Sequence, residues 1–259
     1  MISDIKILIN LAKSDFNKKF AGSYFGILWM FLQPLATIAV YTLIFQVGFR
    51  STPPIPNIPY VIWLIPGIVP WFYFQETLIL ITNVFSEYSF LVKKMVFKVN
   101  MLPLIKLLSS LLVHFCFIAI MILFFILFRQ PIRPNIVLIF YYSFALSVFV
   151  LGIGFFTSSV NVFFKDMNNI VAIILQFGIW FAPIMYDESI FESRAKIVTV
   201  LIKFNPLYYI VTGYRSAMLT DSFYINPLLT LYFWAVTAVI FVIGYKIFNN
   251  LKPHFSDVL

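Results

Sequence analysis

Charged, acidic and metal-binding side chains are scarce in this sequence. Of its 259 residues only 11% are charged, with 10 Asp and Glu against 18 Lys and Arg. A soluble domain is about 25% charged and roughly 45–50% apolar. A chain that is 62% hydrophobic has no watery-surfaced interior large enough to hide the excess, so its solvent is the bilayer. The single cysteine, Cys116, excludes an intrachain disulfide and a thiolate cluster; inside an apolar run it reads as a small core residue. His114 and His254 belong to no H-E-x-x-H arrangement, which leaves a zinc hydrolase without ligands. His114 reads instead as a polar contact between helices. Asp187, Glu188 and Glu192 could at most hold a cation loosely. There is no G-x-S-x-G elbow, and no glycine precedes Lys-Ser or Lys-Thr, so neither a serine hydrolase nor a phosphate-cradling loop is encoded. Any uphill work is powered from another chain. Proton coupling normally uses several ionisable groups within the spans, and only Glu76 and His114 qualify.

What is present is a succession of uncharged stretches: Phe20–Phe49, Ser51–Gln75, Leu107–Phe128, Pro134–Phe164, Met167–Tyr186 and Ser222–Tyr245. Each holds the about 20 apolar residues needed to cross roughly 30 Å of hydrocarbon. The expected fold is an all-α integral membrane protein, one unit over 1–259, with spans at 24–49, 60–85, 107–128, 135–164, 169–186 and 222–245. Nothing is left over for a soluble domain of the usual size of about 50 residues or more.

Asp4, Lys6, Lys13, Asp15, Lys18 and Lys19 interrupt any apolar core of a signal peptide, so the first twenty residues are expected to stay in the mature chain. Ile5, Leu8, Ile9, Ala12, Phe16 and Phe20 recur at helical spacing, as in an amphipathic helix lying along the membrane surface; a plain cytosolic extension of the first span is the alternative. With the N-terminus inside, eleven lysines fall in the cytoplasm against Arg50, Arg129 and Arg133 in the short outer loops. A longer outer segment adds Arg194, Lys196, Lys203 and Arg215. That asymmetry places both termini inside and explains the net charge of +8 as topology, not as nucleic-acid binding.

Within the spans, Pro34 is expected to kink the first helix and Pro66-Gly67-Ile68-Val69-Pro70 to break the second, which then has to face the bundle interior. Glu76 is an intramembrane acid: a functional-site candidate, or a carboxyl bonding a neighbouring helix. Gly152 and Gly154 allow close helix packing, and Asp166 is suited to cap the fifth span. In the cytosolic segment 86–106, Phe90, Leu91, Lys93, Lys94, Phe97 and Lys98 mix apolar and basic side chains as a short surface helix would. The half-polar stretch 187–221 fits two short helices dipping into the outer leaflet, broken at Asn205-Pro206.

Several motifs together resemble the membrane subunit of type-2 ATP-binding-cassette exporters, in the branch that exports O-antigen, capsule and teichoic acid polysaccharides. They are Gly22-Ser23-Tyr24-Phe25-Gly26-Ile27-Leu28-Trp29-Met30-Phe31-Leu32-Gln33-Pro34-Leu35, then Pro66-Gly67-Ile68-Val69-Pro70-Trp71-Phe72. Asn161-Val162-Phe163-Phe164-Lys165-Asp166, Gln176, Trp180-Phe181-Ala182-Pro183-Ile184-Met185-Tyr186 and Asn205-Pro206-Leu207 follow in order. The resemblance implies a homodimer in the bacterial inner membrane, bound to two copies of a cytosolic ATPase that holds the ATP and Mg; this chain binds no cofactor. It also implies that residues 1–20 form an interface helix, that Phe90, Leu91, Lys93, Lys94, Phe97 and Lys98 couple to the ATPase, and that 187–221, with Asn205, Pro206 and Arg215, forms an outer gate. An undecaprenyl-diphosphate-linked polysaccharide would be admitted near Lys18 and Lys19, residues that charge topology alone also accounts for.

Sugar rings lie well on aromatic faces, and a sliding chain needs many weak contacts, so Trp29, Trp71, Phe72, Tyr73, Trp180 and Tyr186 are candidates to line a channel. Trp and Tyr also gather at membrane interfaces in any protein. The rival readings are a proton-driven flippase of lipid or glycolipid, an exporter of a small amphiphile, and a scaffold without a channel.

Overall fold

The computed structural model describes residues 2–20, 24–93, 98–192, 195–221 and 225–259. Among them every regular element is helical. Helix α1 (Ile2–Phe20) precedes α2 (Leu28–Thr42), which continues as a π-helical segment, Leu43–Gly48. After α3 (Tyr60–Thr82), two short helices, α4 (Val84–Glu87) and α5 (Ser89–Lys93), lead to α6 (Met101–Leu127). The order is completed by α7 (Leu138–Phe163), α8 (Met167–Phe181), α9 (Ser189–Glu192), α10 (Lys196–Phe204), α11 (Pro206–Leu219), α12 (Pro227–Leu251) and α13 (Phe255–Val258).

Among the described residues five helical segments are long and apolar enough to cross a membrane, Leu28–Gly48, Tyr60–Thr82, Met101–Leu127, Pro134–Phe163 and Pro227–Val258, and the chain is a multi-pass membrane protein. A sixth crossing exists if α10 and α11, bent by 84° at their break, count as one. The apolar stretch expected to run to Tyr186 stops being helical at Phe181. Pro183 is the reason: a residue before proline is pushed out of helical geometry, and Ala182 is extended at φ −93°, ψ 128°. The 15 residues of α8 reach about 22 Å, short of the roughly 30 Å of hydrocarbon.

Helix α3 is apolar all round and is the most buried of the candidate spans, packed against α6, α7, α8 and α11. The expected break at Pro66 and Pro70 does not occur: α3 runs unbroken through both, as α2 does through Pro34. Each proline removes one hydrogen bond, which a membrane helix tolerates where a neighbour supplies donors. Arg215 of α11 donates to the Trp63 carbonyl at 3.4 Å; the carbonyls that Pro66 and Pro70 leave unpaired are those of Ile62 and Pro66, so this bond lies beside the gaps and does not fill them. Gly67 leaves room for it, since a Cβ there would lie 3.0 Å from the guanidinium.

The most extensive helix pair is α7 with α12. Gly152 lets the α12 backbone approach at Phe241, Gly244 faces the Gly152 carbonyl, and Gly154 makes room for Ile81 of α3. Basic residues converge at one end of the bundle: Lys165 donates to Ser86 at 2.8 Å, Lys252 to Asn100 at 2.7 Å, and Lys106 to Asp15 and Glu87. At the opposite end Arg133 donates to Asp221 at 2.6 Å.

Candidate functional site

Asp15 lies on the buried face of α1, one turn after buried Ala12, and α1 packs along α6. A buried carboxylate needs a partner, and Lys106 of α6 donates to it at 2.6 Å while also donating to Glu87 of α4 at 2.8 Å. The Tyr88 hydroxyl donates to Asp15 at 2.6 Å. Burial, with the Asp15 carboxylate it faces, pushes the Tyr88 hydroxyl well above the usual tyrosine pKa. The start of the chain is thereby tied to both the α4–α5 segment and the first turns of α6.

From this joint α1 runs to Lys19, which forms an ion pair with Glu76 in the interior of α3. Burial lowers the Lys19 pKa to about 8 against the opposing pull of Asp15. The pair borders a cleft of about 600 Å³ whose walls come from α2 and α3, closed by Phe117 of α6 and Ile179 of α8. Gln33, Thr37, Tyr41 and Gln75 give this cleft a polar side; Trp29, Met30 and Phe72 give it an apolar one. Such a space suits a ligand with both an anionic head and an apolar or sugar-like body. Among the described residues no group of His, Cys, Asp and Glu could hold a metal ion.

Of the aromatics singled out from the sequence, the structure brings Trp29 and Phe72 to the cleft and distributes the others elsewhere. Trp71 is buried, donates to Gln75 Oε1 at 2.9 Å and packs against α8 at Gly178. Tyr73 points the opposite way, its hydroxyl 2.8 Å from Ser147 Oγ and its ring stacked on His114. Trp180 is half exposed on α8, and the Tyr186 hydroxyl donates to the Trp180 carbonyl at 2.6 Å. His114 is sealed among Tyr73, Ser143 and Tyr214, with Nε2 2.8 Å from the Tyr214 hydroxyl, so the two intramembrane ionisable groups do not share a site. Lys18 is exposed and lies outside the cleft wall that Lys19 joins. Thr37, Tyr41 and Gln75 leave no signal in the sequence, because uncharged polar residues in an apolar run carry no periodicity, and Gln33 stands out only as part of the motif that carries the exporter resemblance.

The residues of the 187–221 stretch converge on the segment that follows α8. Asn205 caps α11 by accepting from the Leu207 N–H at 3.0 Å, Pro206 takes the first helical position, and the Asn205 amide donates to the Phe181 carbonyl at 3.3 Å. Arg215, buried in α11, donates to the Pro183 and Ile184 carbonyls at 2.6 and 2.5 Å, with its guanidinium 3.6 Å above the Trp63 ring. The Tyr60 hydroxyl donates to the Met185 carbonyl at 2.6 Å, and that of Tyr208 to Glu188 at 2.6 Å. The bent pair is therefore fastened to the C-terminal end of α8, where a cation also meets the negative end of the helix dipole.

In the α4–α5 region Phe90 is exposed, Leu91 half-buried, Val92 buried against the core, and Lys93 and Lys98 exposed. Lys94 and Phe97 lie outside the described residues, as do Gly22 and Ser23. The short helix α13 near the end of the chain packs on α5.

The profile of a family described as ABC-2 type transporter matches residues 8–219. The chain is similar over nearly its whole length to proteins named O-antigen export system permease protein RfbA. Two from Klebsiella pneumoniae are 26% and 27% identical, each alignment covering 98% of this chain and 95% of the relative. One from Myxococcus xanthus is 25% identical, over 97% and 94%.

Proposed function

The chain belongs to the ABC-2 type transporter family, and on that basis we propose that it is the channel-forming permease subunit of an ATP-driven exporter that moves a lipid-linked, O-antigen-like polysaccharide across the bacterial inner membrane. The observation that carries the reading is the full-length similarity to O-antigen export permeases, joined to a cleft that pairs a cation with aromatic walls. Two copies of the chain form the channel, and two copies of a cytosolic ATPase, holding ATP and Mg, drive it. The surface that a second copy would cover is the exposed apolar one beside the cleft, Leu28, Trp29 and Leu32 on α2 and Ile174, Phe177 and Phe181 on α8.

In this reading both termini and the 86–106 segment are cytoplasmic, and the exposed Phe90, Lys93 and Lys98 surface, with Leu91, Lys94 and Phe97, meets the ATPase. Its motion reaches α1 through the Glu87–Lys106–Asp15 chain of ion pairs. The lipid diphosphate is admitted beside Lys18 and Lys19, the glycan follows along Trp29 and Phe72, with Trp180 and Tyr186 further along the path, and α10–α11 with Asn205, Pro206 and Arg215 gates the outer side; Trp71 and Tyr73, buried between helices, support the wall from behind. Cells from which the chain is depleted should lose surface polysaccharide and accumulate undecaprenyl-linked glycan on the inner leaflet, and re-expression should reverse both. Unchanged surface polysaccharide on depletion would overturn the proposal.

A further inference from the structure

Lys19 and Glu76 meet at the border of the cleft with side chains 27% and 31% exposed. An ion pair this open contributes little stability of its own, because water screens it. Its position matters more: the cation is already neutralised by a resident carboxylate, and Gln33 of α2 and Gln75 of α3 also line the cleft. Any anion that uses Lys19 therefore has to compete with Glu76. A singly charged phospholipid headgroup offers about the same charge as the carboxylate it would displace and gains nothing. A diphosphate brings more charge and more acceptor oxygens, and charge-assisted hydrogen bonds strengthen accordingly. Discrimination against the abundant wrong ligand is thereby built in as a competing interaction.

Resting on the reading above that the cargo travels on a lipid diphosphate, we propose that the Lys19–Glu76 pair is an exchange latch: the diphosphate of an isoprenoid-linked substrate displaces Glu76 from Lys19, while the monoanionic headgroups of bulk lipid do not. The freed carboxylate then lies beside the bound diphosphate and repels it, so the site holds its cargo without trapping it.

The test is made first on the unmodified chain in phosphatidylcholine nanodiscs. A zero-length carbodiimide crosslink between Lys19 and Glu76, quantified by mass spectrometry, reports the closed pair. A polyprenyl diphosphate probe should reduce that crosslink several-fold; polyprenol and phosphatidylglycerol should leave it unchanged, and inorganic pyrophosphate, which lacks the chain that the apolar wall holds, should reduce it only at far higher concentration. In a binding assay E76Q should bind the probe several-fold more tightly and begin to accept phosphatidylglycerol, and K19Q should lose the preference for diphosphate over polyprenol. Probe binding that leaves the crosslink and the E76Q affinity unchanged overturns the latch and leaves the lipid-carrier reading standing. Protection by pyrophosphate or phosphatidylglycerol equal to that by the probe overturns the assigned occupant. No preference for the diphosphate over polyprenol in either the unmodified chain or E76Q overturns both the latch and the carrier reading.

Discussion

Lys106 and Asp15 form a salt bridge of 2.6 Å with both side chains almost wholly buried, at 4% and 6% exposure. Removing one partner of such a pair leaves an uncompensated buried charge, at a cost of about 3–5 kcal/mol. Lys106→Met should therefore lower the thermal unfolding temperature of the purified chain markedly. Asp15→Asn should cost less, because Lys106 keeps Glu87 at 2.8 Å, and the double variant should be less destabilised than the sum of the two. Additive losses would show that the two residues are not coupled.

Arg215 is held by planar, multi-point contacts with the Pro183 and Ile184 carbonyls and the Trp63 ring. Lysine keeps the charge and loses the fork and the stacking. Arg215→Lys should cost about 2–4 kcal/mol, as charged hydrogen bonds are worth about 1.5–3 each. Limited proteolysis of the 187–221 segment should rise in parallel; stability and protection equal to the unmodified chain would argue against the clamp.

Gly244 packs against the Gly152 carbonyl with no room for a Cβ. Gly244→Val should force α7 and α12 apart and lower the unfolding temperature, whereas Val242→Ala, at an exposed position of the same helix, should change it little. Equal effects of the two changes would refute the close approach.

Reversing the charges at Lys93 and Lys94 should leave the spans folded, by unfolding temperature, and break the link between ATP hydrolysis and export. Normal surface polysaccharide in that double variant would remove the coupling role of the 86–106 segment.

Much of this architecture was legible because bilayer thickness imposes its length on apolar runs, and because Asn205-Pro206 combines a cap with the residue that favours a first helical turn. Gly152 and Gly154 announced close packing, but Gly244, which meets one of them, was hidden in a long apolar helix. Proline alone does not say where a helix stops: α3 continues through Pro66 and Pro70, while α8 ends before Pro183, where Ala182 takes the extended conformation that a following proline favours. The partner of Glu76 was unreadable, as Lys19 lies fifty-seven positions earlier and a pattern of local periodicity says nothing about which helices meet. Asp15 did leave a signal: an acid on the apolar face of an amphipathic helix requires a cation opposite, which proved to be Lys106.

The most direct measurement is to purify the tagged chain gently from its native membrane, identify by mass spectrometry what accompanies it, and assay ATP hydrolysis. A stoichiometric partner carrying a P-loop, with vanadate-sensitive hydrolysis, is the expected result. A chain that purifies alone, hydrolyses nothing and still transports in proteoliposomes would contradict the exporter reading and return Glu76 to consideration as a proton site.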